Sequence, residues 1–348
     1  MFSIQNLKEI SSGVLFVAIF ATAASYISTL GFIKHLGFSP LVIGIVLGIF
    51  YANTLHNHAP KAWQSGITFS AKKILRFAIV LYGFRITFQE IMSVGTEGFL
   101  VSLTMLTTTM LIGIFAGTKL FKMDRDTSIL TAAGASVCGA AAVLATEPVL
   151  KAQEYKTAVA VSMVVLFGTI SMFLYPVMYE GFIKDAIGFL HMTPKQFGIY
   201  VGGSIHEVAQ VVAVPASIPH ASAEMAHSAV IVKMTRVMLI APMLIILGLI
   251  LSFKSSESNS HVKLVIPWFA VYFVFVAAFN SLHIIPQNIV SNINNIDTFL
   301  LTMAMTALGM GTIFSKFKDV GASSFYTALT MFAWLVIGGF VITKFICS

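Results

Sequence analysis

The chain has 348 residues, of which 57% are hydrophobic and only 10% are charged, and its mean hydropathy is +0.89. Because a soluble globular protein carries about 25% charged residues, this composition excludes an ordinary soluble domain and indicates a polytopic membrane protein. The formal net charge of +7 is then attributed to Lys and Arg in cytoplasmic loops. We therefore expect membrane lipid as a partner and no nucleic acid.

Apolar segments of about 20 residues predict membrane-spanning helices. In chain order they lie at 13–30, 40–53, 69–88, 96–118, 156–179, 226–251, 264–282, 298–314 and 322–345. Two further segments, 127–146 and 197–217, are rich in Gly, Ala and Ser and count as five and seven of eleven. The first apolar run continues to Leu30, so we expect an uncleaved helix rather than a signal peptide. A polar stretch at 254–263 predicts a surface loop, and 1–348 is interpreted as a single transmembrane domain.

The chain repeats itself at an offset of 226 residues, where for example Gly83 matches Gly309. The first repeat covers 40–180 and the second 197–345, with five elements each in permuted order. If the two Gly-rich segments dip into the membrane and return, every repeat pair becomes inverted. The predicted fold is therefore an all-α, inverted-repeat transporter bundle with two broken or re-entrant Gly-rich segments. Charge placement alone does not decide whether these segments span or re-enter.

The distribution of basic residues predicts a cytoplasmic N-terminus. The basic residues assigned to the cytoplasmic side are then Lys8, Lys61, Lys72, Lys73, Arg76, Lys119, Lys122, Arg125, Lys151, Lys156, Lys254, Lys263, Lys316 and Lys318. Those assigned to the outer side are Lys34, Arg85, Lys184, Lys195 and Lys344. Arg85 is predicted to be a solvated loop end, with a vestibule residue as the alternative. Asn53 and Asn280 are predicted to lie at helix ends, with a position on the transport pathway as the alternative.

Two cations, Lys233 and Arg236, interrupt the apolar segment 226–251. Their spacing places them on one face of a helix, and each costs about 2.5–3.5 kcal/mol near a helix centre on insertion scales. The pair predicts a polar cavity that holds an anion. The alternative is that both side chains snorkel or pair with carboxylates on neighbouring helices.

A motif in the segment 197–217 offers further polar groups. Paired glycines at 202 and 203 permit a break, and a helix that starts after it points N–H groups into a cavity, where they bind anions. His206 and Glu207 are titratable, so one of them is a candidate proton carrier. Alternatively, Glu207 is the buried counter-ion of Arg236 or Lys233. The candidate residues here are Gly203, Ser204, His206, Glu207 and Gln210.

The corresponding element in 127–146 contains Ser136, Cys138 and Gly139. Ser136 and the amides near Gly139 are candidates to face an oxyanion, whereas Cys138 is expected to be a small packed side chain. The spacing does not match a serine-hydrolase elbow, and Gln210 stands where a zinc-binding His-Glu-x-x-His motif needs its second imidazole. Neither cysteine completes a disulfide or metal pattern, so we predict no metal, no cofactor and no enzyme.

At these residues the sequence resembles the YeiH-like family of bacterial inner-membrane proteins. The resemblance rests on Gly-Ser-Ile-His-Glu-Val-Ala-Gln-Val at 203–211, Ile-Val-Lys-Met-Thr-Arg-Val at 231–237, Ser-Val-Cys-Gly-Ala at 136–140, Leu-Phe-Gly-Thr-Ile-Ser-Met-Phe-Leu-Tyr-Pro at 166–176 and Pro-Trp-Phe at 267–269. That family is labelled a sulfate exporter family, with links to sulfite and organosulfonate metabolism. The resemblance thus implies a multi-pass protein of the inner membrane that exports sulfate or sulfite.

The sequence therefore predicts a secondary transporter for a small inorganic anion, with protons as a candidate coupling ion and a homo-oligomer as the expected assembly. A cation/proton antiporter that uses Glu207 and a passive anion channel are the alternatives. An intramembrane enzyme built on His206 and Glu207 is a remote alternative.

Overall fold

The computed structural model describes residues 4–31, 33, 39–55, 60, 62–252, 268–313, 315 and 321–348. The predicted loop 254–263 lies outside these residues, as do Lys34, Lys61, Lys254, Lys263, Lys316 and Lys318. In the described part all regular secondary structure is helical, which confirms the predicted all-α class.

The described residues form fifteen α-helices. They are α1 (Ile4–Thr29), α2 (Pro40–Thr54), α3 (Trp63–Phe69), α4 (Leu75–Tyr82), α5 (Phe88–Phe115), α6 (Arg125–Ser136), α7 (Ala140–Leu150), α8 (Glu154–Met178), α9 (Pro194–Ser204), α10 (Val208–Ala216), α11 (Ala223–Met238), α12 (Ile240–Ser252), α13 (Trp268–Asn280), α14 (Gln287–Gly311) and α15 (Ala322–Ile346).

Five helical stretches of the described chain are long and apolar enough to cross a membrane. They are Glu9–Thr29, Phe88–Leu120, Tyr155–Ile183, Ala223–Leu251 and Ala322–Ile346. Shorter apolar helices are Pro40–Thr54, Ala140–Leu150 and Trp268–Asn280. The chain is therefore an all-α membrane protein.

The chain folds into two compact units. The first comprises Met1–Ile91, Ala213–Ala221 and Phe269–Ser315, and the second comprises Met92–Val212, Ser222–Trp268 and Lys316–Ser348. Each predicted repeat, 40–180 and 197–345, contributes helices to both units. The repeat boundaries themselves stay a prediction.

The first unit packs α2 against α14 at very short range. Gly48 permits this approach, because a Cβ at that position would lie 2.2 Å from the Thr306 carbonyl oxygen. Asn53 and Asn280 lie at helix ends, as predicted, and their side-chain amides donate to the carbonyls of Thr312 and Ile86, respectively.

The prediction for Arg85 is wrong, because this residue is not a solvated loop end. Its Nε donates to Asp297 at 3.0 Å, and the side chain of Asp297 is fully buried. Its Nη2 donates to Thr298 Oγ1 and to the Asn294 carbonyl, both at 2.7 Å, and the guanidinium lies over the ring of Tyr82. The partners follow Arg85 by about two hundred residues in the chain, so no local pattern points to them.

In the second unit, α6 and α7 form a broken helix that turns back. Lys156, at the start of α8, forms ion pairs of 2.8 Å with Asp124 and Asp126 at the start of α6. If α6 and α7 continued in one direction, Lys156 would lie about 40 Å from Asp124 and Asp126, because a helix rises 1.5 Å per residue. The chain therefore returns to the end from which α6 began.

The pair α9 and α10 also turns back, since α11 packs alongside α9 in the same direction. A Cβ at Gly198 would lie 2.4 Å from the Met225 carbonyl oxygen, and one at Gly202 would lie 2.3 Å from that of Ala229. Both helices thus start at the same end of the unit, so the chain that follows α9 has returned to that end where α11 begins. Re-entry of these two segments into the membrane, and the inversion of the repeats that depends on it, stay predictions.

The two broken helices enter the second unit from opposite ends, because α8 runs alongside both. The start of α8 lies at the start of α6, as the Lys156 ion pairs show. Near its other end, Tyr175 donates to Ser204 at the end of α9, and the ring of Tyr179 packs on that of Phe197 near the start of α9. The ends of α6 and α9 therefore meet inside the unit.

Candidate functional site

The breaks in the two helices lie at residues 137–139 and 205–207. The prediction that Gly202 and Gly203 form the second break is wrong, because both lie within α9. Their missing side chains serve packing, since a Cβ at Gly203 would lie 2.8 Å from Val101. The first break does use a predicted glycine. Gly139 has φ +74°, a left-handed conformation that favours glycine.

Arg236 joins the ends of the two broken helices. Its Nε and Nη2 donate to the carbonyl of Ser136, Nη2 also donates to that of Ala135, and Nη1 donates to that of Gly203. The side chain is fully buried. One planar guanidinium thus binds the last turn of α6 and the last turn of α9 at once.

Lys233, one turn earlier on α11, joins the two breaks. Its Nζ donates to the carbonyl of Val137 at 2.8 Å and to that of Ile205 at 2.6 Å. Like Arg236, it has no exposed surface. Both cations therefore donate hydrogen bonds to carbonyls that have no partner within a helix. These carbonyls form the negative end of each helix dipole, which a cation stabilises.

These contacts bear on the alternatives left open by the sequence. Within the described residues, the hydrogen bonds of Lys233 and Arg236 go to main-chain carbonyls, so neither snorkelling nor a direct carboxylate bond describes them. Contact between either cation and a substrate anion stays a prediction.

The carboxylate of Glu207 lies at the start of α7, in the opposite break. Its Oε1 accepts a long hydrogen bond of 3.5 Å from the Ala140 N–H. Gly139 leaves room for it, because a Cβ there would lie 2.5 Å from Glu207 Cγ. A negative group therefore already occupies a helix N-terminus, the position that favours anions.

The start of α10 carries two buried polar groups without a partner among the described residues. Gln210 Oε1 accepts the Glu207 N–H at 3.1 Å, while Gln210 Nε2 has no hydrogen-bond partner. The Nδ1 of His206 is likewise buried and without a partner. His206 is 2% exposed and Gln210 is 0% exposed, so water does not freely satisfy either group. Such groups mark a place for a ligand or bound water.

The remaining candidates are engaged with the protein itself. Ser204 accepts from Tyr175 at 2.9 Å and donates to the Tyr200 carbonyl. Ser136 donates to the Ala133 carbonyl at 3.3 Å. Cys138 is a buried free thiol, as expected of a packed side chain.

Sequence reasoning missed two residues that shape this site. Tyr175 fixes Ser204 and therefore the end of α9. Gly168 lies against the Gln210 amide, where a Cβ would be 2.4 Å from Oε1. Both lie in α8, whose apolar pattern gives no sign that it borders a polar site.

The chain matches the family described as Conserved hypothetical protein 698 over residues 12–328. It is 46% identical over 338 residues to a UPF0324 membrane protein of Bacteroides thetaiotaomicron, which covers 96% of this chain and 98% of the relative. It is 47% identical over 336 residues to a Bordetella pertussis protein of the same description, covering 96% and 94%. The UPF0324 inner membrane protein YeiH of Escherichia coli K12 is 43% identical over 345 residues, covering 99% and 96%.

Proposed function

The chain belongs to the family of conserved hypothetical protein 698, and we propose that it is a secondary transporter that exports a small inorganic anion. Sulfate or sulfite is the proposed substrate, and the bacterial inner membrane, which the name of the Escherichia coli relative specifies, is the proposed location. The N-terminus is proposed to be cytoplasmic.

The observation that carries this proposal is the meeting of two broken helices around buried cations. Arg236 and Lys233 donate to carbonyls of both α6 and α9 and of both breaks. Broken helices that meet inside a membrane protein are the usual sites of substrate and coupling ions in secondary transporters. A chain that buries two cations there favours an anionic substrate.

The proposed roles follow from the contacts. The two cations supply positive charge and hold the breaks in place, while the N-termini of α7 and α10 supply N–H donors to the anion. Glu207 and His206 balance charge when the site is empty and are the candidates for proton coupling. The sequence contains no P-loop motif, so coupling to an ion gradient is proposed rather than ATP hydrolysis.

The test is uptake by proteoliposomes that contain the purified protein. We expect labelled sulfate or sulfite to enter and its entry to accelerate when unlabelled anion is present on the opposite side. Lys233→Ala should reduce uptake to that of empty liposomes, and the exposed Lys184→Ala should leave it unchanged.

Each alternative gives a different result in the same experiment. Uptake of labelled sodium driven by a proton gradient, without anion movement, would identify a cation/proton antiporter. Anion flux without acceleration by the opposite pool would identify a passive channel. Movement of neither ion would overturn the proposal.

A further inference from the structure

At the start of α7, in one of the two breaks, a negative group already occupies a helix N-terminus. Glu207 fills it by reaching from the other broken segment to the Ala140 N–H. The backbone is shaped for this contact, since Gly139 has φ +74° and any Cβ there would collide with Glu207.

Two residues close to Glu207 in the chain carry buried polar groups that have no partner among the described residues. The bond from the Glu207 N–H fixes the orientation of the Gln210 amide, because an N–H can donate to Oε1 but not to Nε2. Gln210 Nε2 is therefore a genuine donor, and it remains without an acceptor in the described structure. His206 Nδ1 supplies a second such group in the tautomer that protonates it.

We infer, on the basis of the proposed function, that the substrate anion binds at the start of α7 beside Gln210 and His206, and that the Glu207 carboxylate occupies this place in the empty protein. The anion and the carboxylate are then mutually exclusive. An arriving anion displaces the side chain, which takes up a proton or turns toward water. Glu207 is a tethered competitor of the substrate rather than one of its ligands.

Competition weakens binding of the anion to an extent set by the fraction of time for which the carboxylate fills the site. We take an occupancy of about nine-tenths, which makes the apparent affinity about tenfold weaker than that of the vacant site. Protonated Glu207 competes poorly, so binding in the wild type should strengthen as the pH falls. Cys138 on the other break and Lys233 on α11 interact electrostatically with Glu207, and His206 precedes it in the chain. Arg236 on α11 interacts with Cys138 and with Tyr175 on α8.

The experiment is calorimetric titration of the purified protein with sulfate and with sulfite. The pH series, from mildly acidic to mildly alkaline, uses sulfate, because sulfite itself gains a proton within this range. In Glu207→Gln the affinity should be about tenfold higher than in the wild type at alkaline pH and should not vary with pH. Glu207→Ala should show the same higher affinity and the same lack of pH dependence, and it replaces Glu207→Gln in the experiment if that variant is unstable. Glu147→Gln, at the far end of α7, should retain the pH dependence of the wild type.

Other outcomes overturn the inference and separate it from the proposed function. Weaker binding in both Glu207 variants at every pH would make Glu207 a positive contributor to the site. A pH dependence that survives in Glu207→Gln would assign it to His206. Binding of neither anion by the wild type would overturn the proposed function, and this inference with it.

Discussion

At the residue scale, Arg236 and Lys233 are positioned by what helix ends require. The last four carbonyls of a helix have no partner within it, and a buried carbonyl without a partner costs about 1–3 kcal/mol. Here two such ends meet away from water, and the two cations supply the donors. Their burial is therefore explained by the fold even before any substrate binds.

This geometry predicts that Arg236→Lys will fail to replace Arg236. The guanidinium donates through Nε, Nη1 and Nη2 to both helices, and a Lys ammonium cannot copy this planar fork. We expect the variant to lose transport and to unfold at lower temperature, because each hydrogen bond to a charged group contributes about 1.5–3 kcal/mol. Transport in proteoliposomes and thermal unfolding in detergent measure the two effects.

Arg125→Lys is the matched control, because Arg125 lies exposed at the start of α6. It should unfold and transport like the wild type. Full stability of Arg236→Lys would contradict the clamping role, and full stability with lost transport would assign Arg236 to substrate binding alone.

The sequence predicted which residues converge but not what they touch. Intramembrane cations and the His206–Glu207 pair are visible because charge is expensive in a membrane. The acceptors of Arg236 are main-chain carbonyls, which have no signature in residue type. The predicted break at Gly202 fails for a related reason, because a glycine for close helix packing and a glycine for a break look the same in sequence.

At the scale of elements, the first broken helix is held at its start by an ion-pair cluster. Asp124 is the N-cap of α6 and accepts from the Thr127 N–H at 3.1 Å, while Lys156 reaches it from α8. Burial alone would raise the pKa of Asp124, but hydrogen bonds from Lys156 and Thr127 outweigh it and hold the pKa below its ordinary value. The ionised form is thus favoured in the folded protein.

A lowered pKa predicts acid sensitivity. The stability contributed by ionised Asp124 is fully present above its unfolded pKa of about 3.9 and is lost as the pH falls through the lower folded value. Asp124→Asn keeps a capping oxygen but not the charge. It should therefore unfold at lower temperature than the wild type at neutral pH, and the difference should vanish in acid.

Thermal unfolding across this acidic range measures the difference. Asp185→Asn is the control, because Asp185 is exposed and forms no ion pair within the described part of the chain. Parallel curves for Asp124→Asn and the wild type at all pH values would show that the Lys156 contact contributes nothing to stability.

Helix positions themselves followed from apolar periodicity. The pairing of Lys156 with Asp124 did not, because it depends on the chain turning back.

At the scale of the whole molecule, the returning segments determine the topology on both sides of the membrane. If α6–α7 and α9–α10 both return, Lys122 and Lys151 lie on one side, and Lys184 and His220 lie together on the other. If both segments span instead, each pair is split between the two sides. The comparison does not depend on which way the N-terminus points.

We expect the returning arrangement, with Lys122 and Lys151 inside and Lys184 and His220 outside. Single cysteines at these four exposed positions, in a background lacking Cys138 and Cys347, would be treated with an impermeant thiol reagent on intact and on permeabilised cells. Positions 184 and 220 should react in intact cells, and positions 122 and 151 only after permeabilisation. Reaction of 151 together with 220 but not 184 in intact cells would show that both segments cross the membrane. The reverse pattern for all four positions would keep the returning segments and place the N-terminus outside.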